Sequence, residues 1–327
     1  MKAELEFDWQ ETAVAFDEGL YPSPIVLAGA DCFIRYITDL GAFSLHYSHD
    51  GLLWHEVHPE KVRRNDSSIP FEPKDFYYIN QHYIATSHLS GGFYYSDDLH
   101  NWNIAVITKS GPDINKIIWT GSQYVLVGEW DKVPAVYTTV NFPGPWQEKR
   151  LPHIGGWFDD IAFINPRFII TGRKSWDEYE PPSILSGIKF TDLKQMSIPG
   201  DEYFSDEFTI LGTSLDDRAL MAGANLCFLN VKDANSLVTA DGLQWQKLPF
   251  GLLELVDTGT HLIASLRNEY EPIGIYTSRD GIHWTELNTP LQQGNLAWLN
   301  GKLLIVDGNK IAIGTYRKSE QINETLQ

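Results

Sequence analysis

The sequence predicts an all-β fold: a β-propeller of seven four-stranded antiparallel blades set in one closed ring. Three observations carry that expectation. A heptapeptide, Ser/Thr-x-Asp-Gly-x-x-Trp, returns along the chain; apolar runs of strand length recur in step with it; and the two chain ends hold complementary parts of one incomplete unit. Self-similarity at a period of several tens of residues marks a supersecondary unit that cannot bury its apolar face alone, so neighbouring units must stack.

The heptapeptide defines the turn of each unit. Its best copies are Ser48 to Trp54, Thr239 to Trp245 and Ser278 to Trp284; Ser96 to Trp102 is a fourth copy that has lost the glycine, and Thr138 to Trp146 a longer fifth. Asp-Gly between apolar runs makes a tight hairpin turn, because glycine tolerates positive φ and the carboxylate accepts hydrogen bonds from turn amides. The Trp then opens the next strand. Trp54 and Trp102 are 48 residues apart, Trp102 and Trp146 are 44 apart, and Trp245 and Trp284 are 39 apart. The gap of 99 residues between Trp146 and Trp245 is two periods, and Phe190 to Met196 fills the vacant place with Met196 standing for the Trp.

The strands follow from the runs before each turn. Phe33 to Ile37, Tyr83 to Thr86, Tyr124 to Gly128, Phe168 to Gly172, Ala219 to Gly223, Leu262 to Ser265 and Leu303 to Asp307 are seven apolar runs, most of them preceded by Gly, Asn or Asp. Only six turns with an outer strand accompany them. After Lys310 to Tyr316 no Trp strand follows, whereas Asp8-Trp9-Gln10 near the start resembles Trp245-Gln246-Lys247. The strand over 8–14 is therefore expected to complete the last blade, 295–317, and close the ring, which removes an open sheet edge. No linker or low-complexity stretch divides the chain, so residues 1–327 read as a single domain.

Composition narrows the function classes. The 11 Trp, 15 Tyr and 16 Phe suit strands that stack blade on blade. A net charge of −18 would repel phosphate backbones, which argues against nucleic acid and points to a basic protein or a cationic ligand, unless the charge serves solubility alone. No apolar run is long enough to span a membrane. Residues 1–7 lack the apolar core of a secretory signal, so the expected compartment is cytoplasmic. Cys32 and Cys227 read as two buried thiols. His46, His49, His55 and His58 alternate irregularly around one hairpin, which is not metal-ligand spacing. There is no phosphate-binding glycine loop, no Gly-x-Ser-x-Gly and no Cys-x-x-Cys, and no cofactor is expected.

The repeated turns resemble the Asp-box, or BNR repeat, of sialidase-type propellers, in a shortened form that lacks the spacer between Asp and Gly. The resemblance covers nearly the whole chain and implies that each box is a structural turn between the third and fourth strand of a blade, on the face away from an active site. Asp50, Asp98, Asp241 and Asp280 are on that basis turn residues and not catalysts. The family's enzymes gather three arginines around a carboxylate with a Tyr nucleophile paired to a Glu and an Asp acid. Phe33-Ile34-Arg35-Tyr36 is similar to the family's first arginine motif but has the Arg displaced by one and no Pro, and one residue of displacement in a strand turns a side chain to the other face. Arg173 and Arg267 end strands of the apolar-run class. No third arginine or Tyr-Glu pair can be assigned.

Three tryptophans remain outside the repeat. Trp130 lies in Gly128 to Lys132, between second and third strands of blade 3; Trp157 lies in Gly155 to Asp160, where blade 3 hands over to blade 4; Trp176 lies in Arg173 to Glu180, the matching loop of blade 4. Those two loop classes share one face. Asp131, Asp159, Asp160 and Asp177 surround them, and Tyr179, Tyr203 and Tyr270, each flanked by acids, extend the pattern onto blades 4 to 6. Binding residues concentrate in loops held by a rigid scaffold, and Trp and Tyr are the usual anchors of an interface. Two readings stand: the loops fold their tryptophans inward as plugs, or they form an acidic and aromatic recognition face. The second makes the chain a non-catalytic binding module, first for a basic protein and alternatively for a glycan, with a sialidase-like hydrolase as the rival class.

Overall fold

The computed structural model of the protein describes residues 5–14, 25–39, 42–59, 62–64, 67–69, 71–87, 91–107, 113–130, 133–151, 156–173, 183–196, 220–223, 225–229, 235–268 and 271–317. Seven four-stranded antiparallel sheets account for nearly all of the strands, and no helix occurs among the described residues. Blade 1 comprises Ile25–Ala28, Phe33–Asp39, Ala42–Ser48 and His55–Val57; blade 2, Pro73–Ile79, His82–Ser87, Gly92–Ser96 and Asn103–Val106. Blade 3 holds Asp113–Trp119, Tyr124–Trp130, Val133–Thr139 and Gln147–Arg150, and blade 4 Trp157–Ile164, Arg167–Arg173, Ser183–Gly187 and Lys194–Gln195. Blade 5 holds Leu220–Gly223, Leu226–Leu229, Leu237–Thr239 and Gln246–Lys247, and blade 6 Gly251–Asp257, Leu262–Asn268, Glu271–Ser278 and Trp284–Glu286. Blade 7 is built from Asn295–Leu299, Lys302–Asp307 and Lys310–Tyr316, with Phe7–Ala13 as its outer strand.

Ring closure by the N-terminal strand is thus present, starting one residue earlier than the sequence suggests. Phe7 pairs with Tyr316 and Ala13 with Lys310. Trp9 stands opposite Gly314, where a Cβ would lie 2.7 Å from the indole, so the glycine is what lets the ring cross the strand. Both cysteines are free and buried, on blades 1 and 5.

The core is distributed over the seams. Seven apolar clusters each join two adjacent blades, from Ile34, Tyr36 and Tyr94 between blades 1 and 2 round to Phe33, Leu304 and Ile313 between blades 7 and 1. The turns between third and outer strands key these seams. In the boxes of blades 1, 5 and 6 the aspartate Oδ1 accepts two backbone N–H groups, from Leu52 and Leu53 at 2.8 and 2.9 Å, from Leu243 and Gln244 at 2.8 Å each, and from Ile282 and His283 at 3.0 and 2.8 Å. Asp98 does the same for His100 and Asn101. The tryptophan indole N–H reaches back to the carbonyl three residues earlier in Trp54, Trp102, Trp146 and Trp284.

The fourth residue of the turn meets the preceding blade. A Cβ on Gly51 would lie 3.0 Å from Ile313 of blade 7, one on Gly242 2.7 Å from Arg167 of blade 4, and one on Gly281 2.5 Å from Leu226 of blade 5. Blades 2, 3 and 4 carry Leu99, Phe142 and Phe190 at that position instead, and each side chain enters the cluster shared with the blade before. Either the turn leaves room for its neighbour's aliphatic groups or it fills the space itself.

Three details depart from the sequence reading. In blade 4 the outer strand Lys194–Gln195 follows Leu193, as Gln246–Lys247 follows Trp245, so Leu193 and not Met196 holds the Trp place; Met196 donates its N–H to Ile184 as Leu248 does to Ser236. Of the run expected as a second strand, Leu220–Gly223 is the first strand of blade 5, and the second is Leu226–Leu229. A short hairpin, Val62–Arg64 with Ser67–Ile69, sits between blades 1 and 2 and buries Val62 in their seam.

Candidate functional site

The first strands of all blades run in the same sense, so their opening residues gather at one end of the axial channel, on the face opposite the box turns. At that end the first strands of blades 2, 3, 4 and 6 slip register: between Pro73 and Phe76, Ile114 and Lys116, Phe158 and Asp160, and Leu252 and Glu254. Bulges of this kind re-aim side chains and strengthen local twist. In blades 3 and 4 the facing residue is glycine because the bulged backbone presses on it; a Cβ on Gly128 would lie 1.9 Å from the Asp113 carbonyl and one on Gly172 2.2 Å from that of Trp157.

The bulges bring polar groups of three blades together. Lys74 Nζ donates to Asn115 Oδ1 at 3.3 Å, and Asn115 Nδ2 donates to the Phe158 carbonyl at 2.6 Å. Lys116 pairs with Asp160 at 3.3 Å and lies over the Tyr77 ring, 5.5 Å from its centroid. Asp160, itself buried, also accepts the Ile161 N–H at 2.7 Å. Two polar chains therefore run from blade 2 through blade 3 to blade 4. The sequence reading missed Lys74, Asn115 and Lys116; their signal is three polar residues inside strands that otherwise alternate toward apolar seams.

The expected recognition residues fall unevenly on this frame. Trp157 opens the first strand of blade 4, pairs with Arg173 and is 9 % exposed, with its indole N–H donating to Asp159 Oδ1 at 2.8 Å. It braces the acidic pair from within and does not present its ring to solvent. Asp159 is half-buried beside it. Trp130 ends the second strand of blade 3 opposite Val133 and is described in its backbone only. Asp131, Trp176, Asp177, Tyr179, Tyr203 and Tyr270 lie outside the described residues.

Arg35 pairs with Val26 and His46 and is 0 % exposed within blade 1, so no ligand carboxylate can reach it without breaking the sheet. Of the other arginines a sialidase-like set would use, Arg173 ends the second strand of blade 4 and is described in its backbone only, and Arg267 pairs with Gly251 and Pro272 in blade 6. Among the described residues no three His, Cys, Asp or Glu side chains come close enough to share a cation.

These features define the class as a seven-bladed β-propeller. No protein-family model and no curated protein matches the sequence. Among solved structures the chain is similar to virginiamycin B lyase from Staphylococcus aureus, with 10 % identity, a TM-score of 0.60 and 95 % of this chain and 99 % of that chain covered. It is similar to YCF48 bound to D1 peptide, with 12 % identity, a TM-score of 0.54 and coverage of 94 % and 96 %. The β-propeller domain of Cps50 (Swd1) from Myceliophteria thermophila gives 11 % identity, 0.53, and 93 % and 99 %. Likeness at this identity is likeness of fold.

Proposed function

We propose that the protein is a non-catalytic recognition module of the Asp-box propeller type, acting in the cytoplasm, whose loop face on blades 3 to 6 binds a basic protein surface. The observation that carries this reading is the channel mouth of blades 2 to 4, where two inter-blade polar chains tie the first strands together and the buried Trp157 holds Asp159 beside them. Rigid scaffolds under acidic, aromatic loops are what interface anchors require. A net charge of −18 steers a basic partner toward such a face. YCF48, a propeller of similar extent, was determined with a peptide bound.

The test is capture of partners from lysate by the wild type and by Trp176→Ala, followed by affinity measurement on the captured protein. Truncating an anchor should weaken binding at least about tenfold with unchanged thermal stability, and Asp177→Lys should slow association at low ionic strength. Equal capture by wild type and Trp176→Ala would sink the proposal.

A further inference from the structure

Blade 7 differs from the others in having no turn between its third and outer strands, because these are Lys310–Tyr316 and Phe7–Ala13, from opposite ends of the chain. No box therefore keys blade 7 into blade 6. At that seam a cleft of about 680 Å³ opens, with Phe7, Trp9 and Leu287 along it and Arg279 and His283 on its blade 6 side. Trp9 is fixed there by its indole N–H, which donates to the Asn288 carbonyl at 3.2 Å.

Among the described residues the strand beside the cleft is also the longest outer strand of the ring, and its far side has no strand paired to it. It has 7 residues, whereas the outer strands of blades 1 to 6 have 3, 4, 4, 2, 2 and 3. Short edges resist strand addition and long ones invite it. The ladder gives the parity of the edge. Arg317 N–H donates to the Glu6 carbonyl and Val14 N–H to the Asn309 carbonyl, so even-numbered residues spend their backbone groups inward. In an antiparallel pair bonded residues alternate, so Phe7, Trp9, Glu11 and Ala13 turn N–H and C=O outward.

Charge selects the occupant. Residues 5–14 contain Glu6, Asp8 and Glu11 and no Lys or Arg. The two arginines of the cleft are engaged, Arg317 by Asp8 and Arg279 through its Nε to His261 Nε2 at 2.8 Å. A second copy of the same edge would bring together two acidic strands with no Lys or Arg of their own, whereas a basic segment sets opposite charges side by side.

We propose that this edge takes up an extended basic segment of a partner protein as a fifth strand of blade 7. Backbone bonds run to Phe7, Trp9 and Glu11, a Lys or Arg of the segment stands opposite Glu11, and alternate apolar side chains enter the cleft over Phe7 and Trp9. This surface lies on a different blade from the loop face and does not depend on that reading.

The experiment measures, at low salt, fluorescence anisotropy of a labelled, end-blocked decapeptide, the Lys-Val peptide, whose alternate residues include Lys-Val-Val with Thr between them, so that one strand face sets Lys opposite Glu11 and Val over Trp9 and Phe7. The Lys-Val peptide should bind, and binding should weaken at least about tenfold in each of three cases: Glu11→Pro, alternate N-methylation of the peptide, and replacement of its Lys by Glu. Proline at position 11 removes only an outward N–H, which edge strands tolerate; Glu11→Lys, which keeps the backbone donor, should weaken binding through charge. Unchanged binding by a Glu11→Pro protein that melts like wild type overturns the proposal, as does equal binding of the N-methylated or Glu-Val peptide, or no binding of the Lys-Val peptide. A dimer in sedimentation that Glu11→Pro dissolves assigns the edge to a second copy instead. Peptide binding lost in Asp177→Lys but kept in Glu11→Pro overturns the edge proposal and leaves the loop face standing.

Discussion

The fourth residue of each turn shows how one physical requirement is met by opposite residues. Gly281 leaves a space that Leu226 and Phe228 of blade 5 occupy, and Phe142 fills its own, with ring centroids 5.2 Å from Tyr95 and 5.9 Å from Phe93 of blade 2. Phe142→Ala should cost about 3 kcal/mol by leaving a cavity, and Gly281→Ala about 1–3 kcal/mol by overpacking at a positive φ; urea unfolding of each variant checks both. The motif with Asp-Gly was legible from sequence because polar turn chemistry repeats, whereas Leu99, Phe142 and Phe190 were not, because filled volume has no fixed letter. The turn carboxylates make a pH prediction. Burial pushes Asp98 up, but the Asn101 backbone N–H, the Asn101 amide, the His100 N–H and Ser96 outweigh it and hold the group down at about 2, against 3.8 for an ordinary aspartate. A depressed carboxyl stabilises the fold above its unfolded value and loses that contribution as pH falls through the folded one. Thermal melts between pH 4 and 2 should therefore decline less steeply in Asp98→Asn than in wild type.

Strands were legible where turns punctuate them and were misplaced where turns are weak. Blade 4 has Asp192 accepting the Lys189 N–H at 2.7 Å in place of the usual aspartate, so its turn closes from the far side and the matching register moves by three residues, from Met196 to Leu193. Blade 5 has a four-residue second strand, Leu226–Leu229, too short to stand out beside the apolar run that precedes it. The bulged first strands were hard to read because one residue shifts the phase of the alternation, and in runs of about seven residues that shift is lost among ordinary exceptions to the pattern. Closure of blade 7 was legible because Trp9 repeats the box tryptophan's place. Removing residues 1–13 should expose the Lys310–Tyr316 edge and strip Phe7 and Trp9 from the seam with blade 6, costing at least about 3–5 kcal/mol for the Trp alone. Differential scanning fluorimetry and light scattering should show an earlier melt with aggregation, and an unchanged melt would mean that the strand is dispensable.

At the scale of the molecule, fold and site were legible to different degrees for one reason. A ring repeats its stabilising contacts seven times, so errors in any one blade average out, while a binding face is used once and each residue in it must be placed singly. Trp157 makes the point: its sequence context is that of a surface loop, yet one hydrogen bond to Asp159 and the bulge after it turn the indole inward. The missing seventh turn has a mechanical meaning as well. Six joints of the ring are locked by a turn, whereas the joint between blades 6 and 7 is held by side chains alone: the cluster around Leu287 and Leu303, and Trp9 bound to the Asn288 carbonyl. Trp9 is thus clasp and hinge pin at once, because the strand that completes the ring also supplies the contact that a turn supplies elsewhere.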